Sequence, residues 1–182
     1  ASPPSIVGAG QHPKPGEISL ASHGILFMDE FPEFHRDVIE ALRQPLEERR
    51  ITVARASQTS TFPAKFLFIA ASNPCPCGYY GDEDLECKCS AAQIQRYKAK
   101  ISGPILDRID IHIQVPRQKF AEVAESPEGE TSQTIKERVI AARNIQKDRY
   151  SGKNIMCNSE LQGKMIKKYC ITTKEAKNFI PH

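Results

Sequence analysis

The apolar residues of the chain fall into a few short runs, and those runs predict its elements. Ile25–Met28 is a continuous apolar stretch closed by Gly24 on one side and by Asp29 and Glu30 on the other, the pattern of a buried strand. Residues 65–71 are nearly all apolar and stop at Asn73-Pro74, which predicts a second buried strand. In "IDIHIQVP", Ile109, Ile111, Ile113 and Val115 alternate strictly with other residues, predicting a strand that Pro116 ends. Between the first two runs Val38, Leu42 and Leu46 recur at intervals of four with Ile39 beside them, so residues 35–48 read as a helix. Pro45 lies inside that helix and should kink or end it near Gln44, because proline lacks the N–H and its ring crowds the preceding turn. Ile51 and Val53 then alternate with polar neighbours, residues 56–58 suit a turn, and 59–62 return, an exposed hairpin. A helix is expected over 91–101. Residues 1–24 are rich in Pro, Gly and Ser and read as irregular, with a short strand at Glu17–Leu20.

After residue 117 the texture changes. Residues 122–130 are acidic with Pro and Gly, a linker pattern, and three helices are expected beyond them. Thr134 with Glu137, Ser159 with Gln162 and Thr172 with Glu175 each match a capping box; the third helix begins near Thr173. Ile135, Val139 and Ala142 mark an apolar face, while Lys164, Lys167, Lys168, Lys174 and Lys177 mark a solvated one. Strands separated by helical stretches give an α/β core with parallel strands over residues 1–116, followed by an incomplete helical domain over 117–182.

Composition narrows the picture only a little. A chain of 182 residues with 40% hydrophobic and 26% charged side chains can bury a real core. The net charge of +3 neither requires nor opposes a nucleic-acid partner. No apolar run approaches the ~18 residues of a membrane span, and no charged-then-apolar segment opens the chain, so the expected compartment is the cytoplasm. Of six cysteines, four crowd into residues 75–89. In a reducing compartment such crowding favours a metal or free thiols over disulfides.

Two features carry chemistry. Asp29 and Glu30 end a predicted strand, where open α/β sheets bind ligands. Such a pair suits a magnesium-nucleotide site, one acid holding the ion and the other polarising a water, although a strand ending in two solvated acids gives the same letters. The phosphate loop that would complete the site, Gly-x4-Gly-Lys-Ser/Thr, occurs at none of the ten glycines. The second feature is Cys75-Pro-Cys77 and Cys87-Lys-Cys89, two C-x-C pairs nine residues apart. Four thiolates from one loop suit tetrahedral Zn2+; four reduced thiols packed together, or a redox-labile cluster, are the alternatives. Cys157 and Cys170 stand apart and read as core thiols.

The stretches "PGEISLASHGILFMDEFPEFHRDVIEALRQPLEERRITVARA", "FPAKFLFIAASNPCPCGYYGD" and "CKCSAAQIQRYKAKISGPILDRIDIHIQVPR" resemble the magnesium-chelatase-like AAA+ ATPases, the YifB/ComM group of bacteria. The likeness runs almost unbroken over residues 15–117 and continues more loosely through "ERVIAARNIQKDRY". It implies a partial AAA+ core, running from the Walker B strand to the start of a helical lid, with the phosphate loop upstream in the family. The 182 residues are therefore expected to be silent alone, whereas the parent protein binds ATP and Mg2+. By the same resemblance Asp29 and Glu30 match the Walker B acids, Asn73 matches sensor 1, and Arg108 matches the arginine finger that reaches a neighbouring subunit. For Asn73 the alternative is a turn residue before Pro74; for Arg108 it is an ion pair with Asp107 or Asp110. Ring formation, usually a hexamer, follows from the same likeness. So does a pore-facing role for the hairpin, whose Arg49, Arg50, Arg55 and Gln58 would grip DNA; a solvated basic edge is the alternative. The function implied is an ATP-driven DNA motor of the ComM type, associated with branch migration in recombination and natural transformation. A chelatase motor subunit working through a protein partner and a non-catalytic zinc-stapled module are the competing readings.

Overall fold

The computed structural model describes residues 3–8, 14–54, 59–117 and 129–179. It falls into two compact units, Ala1–Arg117 and Gln118–His182, and its fold is mixed α/β with a parallel strand pair. No helix among the described residues is long and apolar enough to cross a membrane.

The first unit is organised by two strands. β1 (Ile25–Met28) and a later strand, Leu67–Ala70, pair in parallel, with Ile25 opposite Leu67 and Met28 opposite Ala70. Leu26 and Met28 point into the core, whereas Ile25 and Phe27 are each 59% exposed, as is Leu67. These strands are thus buried on one face only, which corrects the expectation of full burial. A continuous apolar run reports that both faces favour cover, and among the described residues only one face receives it. Between them lie β2 (Arg50–Ala54) and β3 (Thr59–Pro63), an antiparallel pair with Arg50 opposite Pro63 and Ala54 opposite Thr59. Leu67–Ala70 is therefore β4. The hairpin's expected turn, 56–58, lies outside the described residues. Ile51 and Val53 both point inward, as their alternation predicts.

The region 35–48 is two helices rather than one. The helix Arg36–Ala41 ends at Leu42, and the helix Arg43–Glu48 begins there with Pro45 in its first turn. The break falls before Gln44 because the proline ring crowds the carbonyl four residues earlier, that of Ala41. In the first turn of Arg43–Glu48 the missing N–H is one that has no intrahelical partner anyway. Val38, Ile39 and Leu42 are buried, and they join Ile18, Leu26, Met28, Phe31, Ile51 and Ile105 in one core.

Two other expectations are corrected. Glu17–Leu20 is a helical turn, not a strand: the Gly16 carbonyl accepts the N–H groups of both Ser19 and Leu20, closing the turn and burying Ile18. Residues 109–115 form no strand. Ile111, Ile113 and Val115 are 74–82% exposed, because alternation marks a surface suited to a sheet while the strand itself needs a neighbouring backbone. Among the described residues this unit's other helices are Pro3–Val7, Ala91–Lys98, with Ser90 and Gln93 forming a reciprocal capping box, and the short Gly103–Leu106.

In the second unit the longest helix is Ser132–Arg149. Its cap is Thr131, whose hydroxyl accepts the Thr134 N–H, so the start lies one turn before the expected capping box. Ser159 sits in a 3-10 turn, Asn158–Glu160, and the next helix, Lys164–Tyr169, starts at Gly163 instead. Lys174–Phe179 begins beside Thr173, whose hydroxyl accepts the Ala176 N–H. The anchor here is Tyr150: it is 1% exposed, its hydroxyl donates to Asn158 Oδ1 at 2.7 Å, and its ring meets that of Tyr169 edge to face. Ile135 and Val139, expected on a packed face, are half exposed. Cys157 is half-buried and Cys170 exposed, so neither is a core thiol.

Candidate functional site

The parallel pair sets the site. Its ladder continues beyond the strands, with the Ala71 N–H donating to the Met28 carbonyl at 3.0 Å and the Phe31 N–H donating to the Ala71 carbonyl at 2.9 Å. Both chains thus leave the sheet at one level and at the same, carboxyl, end. There β1 delivers Asp29 and Glu30, and β4 delivers Asn73, two residues past Ala71; all three are exposed. Asp29 Oδ1 accepts the Glu30 N–H at 2.9 Å. Glu30 adopts a left-handed backbone (φ 49°, ψ 43°), unusual for a residue with a side chain, before the turn Phe31–Glu33. Carboxylate oxygens are the hard donors that Mg2+ takes, so the donor set fits that ion.

Tyr97 is a member of this region that sequence reasoning missed. It lies on the helix Ala91–Lys98, is 5% exposed, and its phenol lies beside the Asn73 backbone, whose amide favours the charged form. Burial pushes the phenol above the usual tyrosine range, and the negative charges of Glu33 and Glu30 add to that. Lys100 pairs with Glu33 at 3.0 Å and lies over the Tyr97 ring. In the sequence Tyr97 is one aromatic among charged residues, with nothing to tie it to Asn73.

Arg108 follows the helix Gly103–Leu106 and is gripped within its own unit. One terminal nitrogen donates to the Pro104 carbonyl and the other to Glu47 Oε2, each at 2.6 Å. Its ion pair is therefore with Glu47, and not with either neighbouring aspartate. Arg49 ends the helix Arg43–Glu48 in a left-handed conformation (φ 58°), and Arg50 opens β2 with its Nε 3.0 Å from Glu48 Oε2. The Arg50 guanidinium, helped by the Gln44 amide, holds the Glu48 carboxyl below its usual range. Arg55 and Gln58 lie outside the described residues.

The four clustered cysteines are brought together: their sulfur atoms all lie within 4.8 Å of one another. Cys75 is fully buried and the other three are half-buried. The Tyr79 N–H lowers the Cys77 thiol to about 6, while burial and the adjacent Cys77 sulfur push Cys89 up to about 12. The opposite directions have one cause, since neighbouring thiolates without a cation cannot all carry charge.

The geometry now has a family context. Residues 1–123 match the model of magnesium chelatase, subunit ChlI, and residues 129–182 match the model of the C-terminal part of that subunit. The chain belongs to the magnesium chelatase ChlI family. Within it, the chain is 46% identical to competence protein ComM of Haemophilus influenzae, an overlap covering 93% of this chain and 32% of that protein. It is 43% identical to the uncharacterized protein YifB of Salmonella typhimurium, over 94% of this chain and 33% of that one. A weaker likeness, 28% over 53% of this chain and 10% of the other, links it to the DNA replication licensing factor Mcm6 of Drosophila melanogaster. The chain spans about a third of the length of the curated ComM and YifB relatives it matches.

Proposed function

We propose that this ChlI-family chain carries part of the ATP-hydrolysis site of an AAA+ ring motor that works on DNA. The observation that carries the reading is the common exit of β1 and β4, which puts two acids and an amide at the carboxyl end of a parallel pair. Asp29 would hold Mg2+, which when bound neutralises phosphate charge. Glu30 takes the proton of the attacking water, and the Asn73 amide orients that water against the terminal phosphate. Arg108 supplies positive charge to the site of a neighbouring subunit in a ring, a hexamer on our reading; a guanidinium suits that task because it stays ionised and grips phosphate oxygens in pairs.

DNA as the track is supported by the likeness to a competence protein and to a replication licensing factor, and by the arginines at the base of the hairpin. In that reading the hairpin grips the phosphate backbone, the motor acts as a helicase in branch migration, and it works in the cytoplasm. A second reading, favoured by the family description itself, is a chelatase-type motor that drives metal insertion through a protein partner.

The test is the ATPase rate of the full-length protein with no DNA, with duplex and with a four-way junction, alongside Glu30→Gln and Arg108→Ala. Junction stimulation that disappears in Arg108→Ala, with nucleotide binding intact, supports the DNA motor. A robust rate indifferent to every DNA shifts the reading to the chelatase type. No turnover in the unmutated protein sinks both.

A further inference from the structure

The cysteine cluster plays no part in the hydrolysis scheme. Three of its sulfur separations are 3.4 Å (Cys75 to Cys77), 3.7 Å (Cys75 to Cys87) and 3.6 Å (Cys77 to Cys87). A disulfide needs about 2.0 Å between sulfurs. Four sulfurs placed tetrahedrally at ~2.3 Å from one zinc ion are spaced by about 3.8 Å, which is close to what is seen. A multi-iron cluster would hold its thiolates further apart than these distances, since several metal atoms and sulfides must fit between them.

We propose that Cys75, Cys77, Cys87 and Cys89 hold one zinc ion as a tetrahedral tetrathiolate, and that this ion fastens the segment carrying Asn73. Cys75 is two residues from Asn73 with only Pro74 between them, and it is fully buried. At the other end of the loop, Cys89 is next to Ser90, the cap of the helix that presents Tyr97. The phenol of that tyrosine lies beside the Asn73 backbone. The ion therefore closes a circuit of covalent links and packing: Asn73, Cys75, the metal, Cys89, the capped helix, Tyr97, and back to Asn73. Without it, residues 75–89 contain no helix or strand that could hold the two ends together. Zinc binding costs the thiols their protons and returns them to solvent; no electron moves, because Zn2+ has no redox chemistry here. The metal site stands independently of the ATPase reading, and only an effect on turnover would depend on it.

The experiment is elemental analysis of the chain purified in reductant with zinc supplied. Cobalt substitution of the unmutated protein and hydrogen exchange with and without metal accompany it. About one zinc per chain is expected to survive gel filtration. Cobalt should give thiolate charge-transfer bands with the intensity of a tetrahedral site. Cys77→Ser combined with Cys89→Ser, both at half-buried positions, should lose the metal, while Cys170→Ser keeps it. Removing zinc should speed amide exchange at Asn73 and along residues 91–98, leaving β2 and β3 unchanged. Metal-free protein, iron in place of zinc, a cobalt spectrum without thiolate bands, or zinc retained by the double variant would overturn the site. Unchanged exchange at Asn73 would overturn the fastening. The cobalt spectrum needs no variant, so a double variant that failed to fold would still leave the site open to refutation.

Discussion

Arg108 shows how much one side chain can be constrained by its partners. Its side chain is 22% exposed, both terminal nitrogens are engaged, and its Nε is buried without a partner. Glu47 is the half that sees solvent, at 56%. Glu47→Gln is therefore expected to cost about 1 kcal/mol or less, read as a small fall in the urea midpoint. Asp82 offers a pH-dependent case. The N–H groups of Asp84 and Leu85 donate to its carboxylate and hold it below the usual range. A depressed carboxyl stabilises the fold fully above its unfolded value, about 3.9, and the contribution is lost as pH falls through the lower folded value. Titration of the Asp82 carboxyl by NMR should place its midpoint below that of the free residue, and Asp82→Asn should remove that part of the acid sensitivity. At this scale the sequence was legible where chemistry is adjacent in the chain: Asp29 with Glu30, and the two C-x-C pairs that the structure gathers. It was opaque where a contact joins distant positions. Glu47 with Arg108 and Tyr97 with Asn73 leave no local pattern, because neither residue type nor spacing encodes which loop returns to which helix.

Among the elements, the hairpin packs most clearly by alternation. Ile51 is 2% exposed within the core, while the Thr52 and Thr61 hydroxyls meet on the outer face at 3.4 Å. Ile51→Ala should cost about 2–4 kcal/mol by leaving a cavity, whereas Thr52→Ala should cost roughly 0.5 kcal/mol. Denaturant unfolding of the two variants would show a wide gap between them; equal losses would mean the faces are assigned wrongly. The strands around these positions were readable because burial on one side writes a period of two. Three errors share another cause. Glu17–Leu20 is too short for period to separate turn from strand, residues 109–115 alternate without a neighbouring strand to pair with, and the helix break moved to Leu42 because Pro45 acts through the carbonyl four residues back. Local pattern reports which surface an element would favour; the partner decides whether it forms.

At the scale of the whole molecule, the described residues of the first unit leave several large apolar side chains exposed. Ile25, Phe27, Leu67 and Ile69 face outward from the parallel pair, and Ile111, Ile113 and Val115 are exposed in the same unit. Contiguous apolar surface of this kind binds environment-sensitive dyes. The chain is expected to enhance anilinonaphthalene sulfonate fluorescence in its folded state, and Phe27→Ser with Ile69→Ser should reduce the signal without lowering helix content. A second expectation follows from motif content. Because no Gly-x4-Gly-Lys-Ser/Thr loop occurs in these 182 residues, they should turn over no magnesium-ATP above a Glu30→Gln control, measured as phosphate release. The α/β class was legible from the succession of runs; the one-sided cover of its strands was not, since a run of four apolar residues reads alike whether one face or both are packed. The parallel register has a further consequence for how such a chain tolerates change. Everything between Met28 and Leu67 leaves the sheet and comes back to it, so residues gained or lost in the hairpin lengthen an excursion without displacing Asp29 from Asn73. The part that explores the surroundings and the part that keeps its spacing can then accumulate substitutions at separate rates, one drifting while the other stays put.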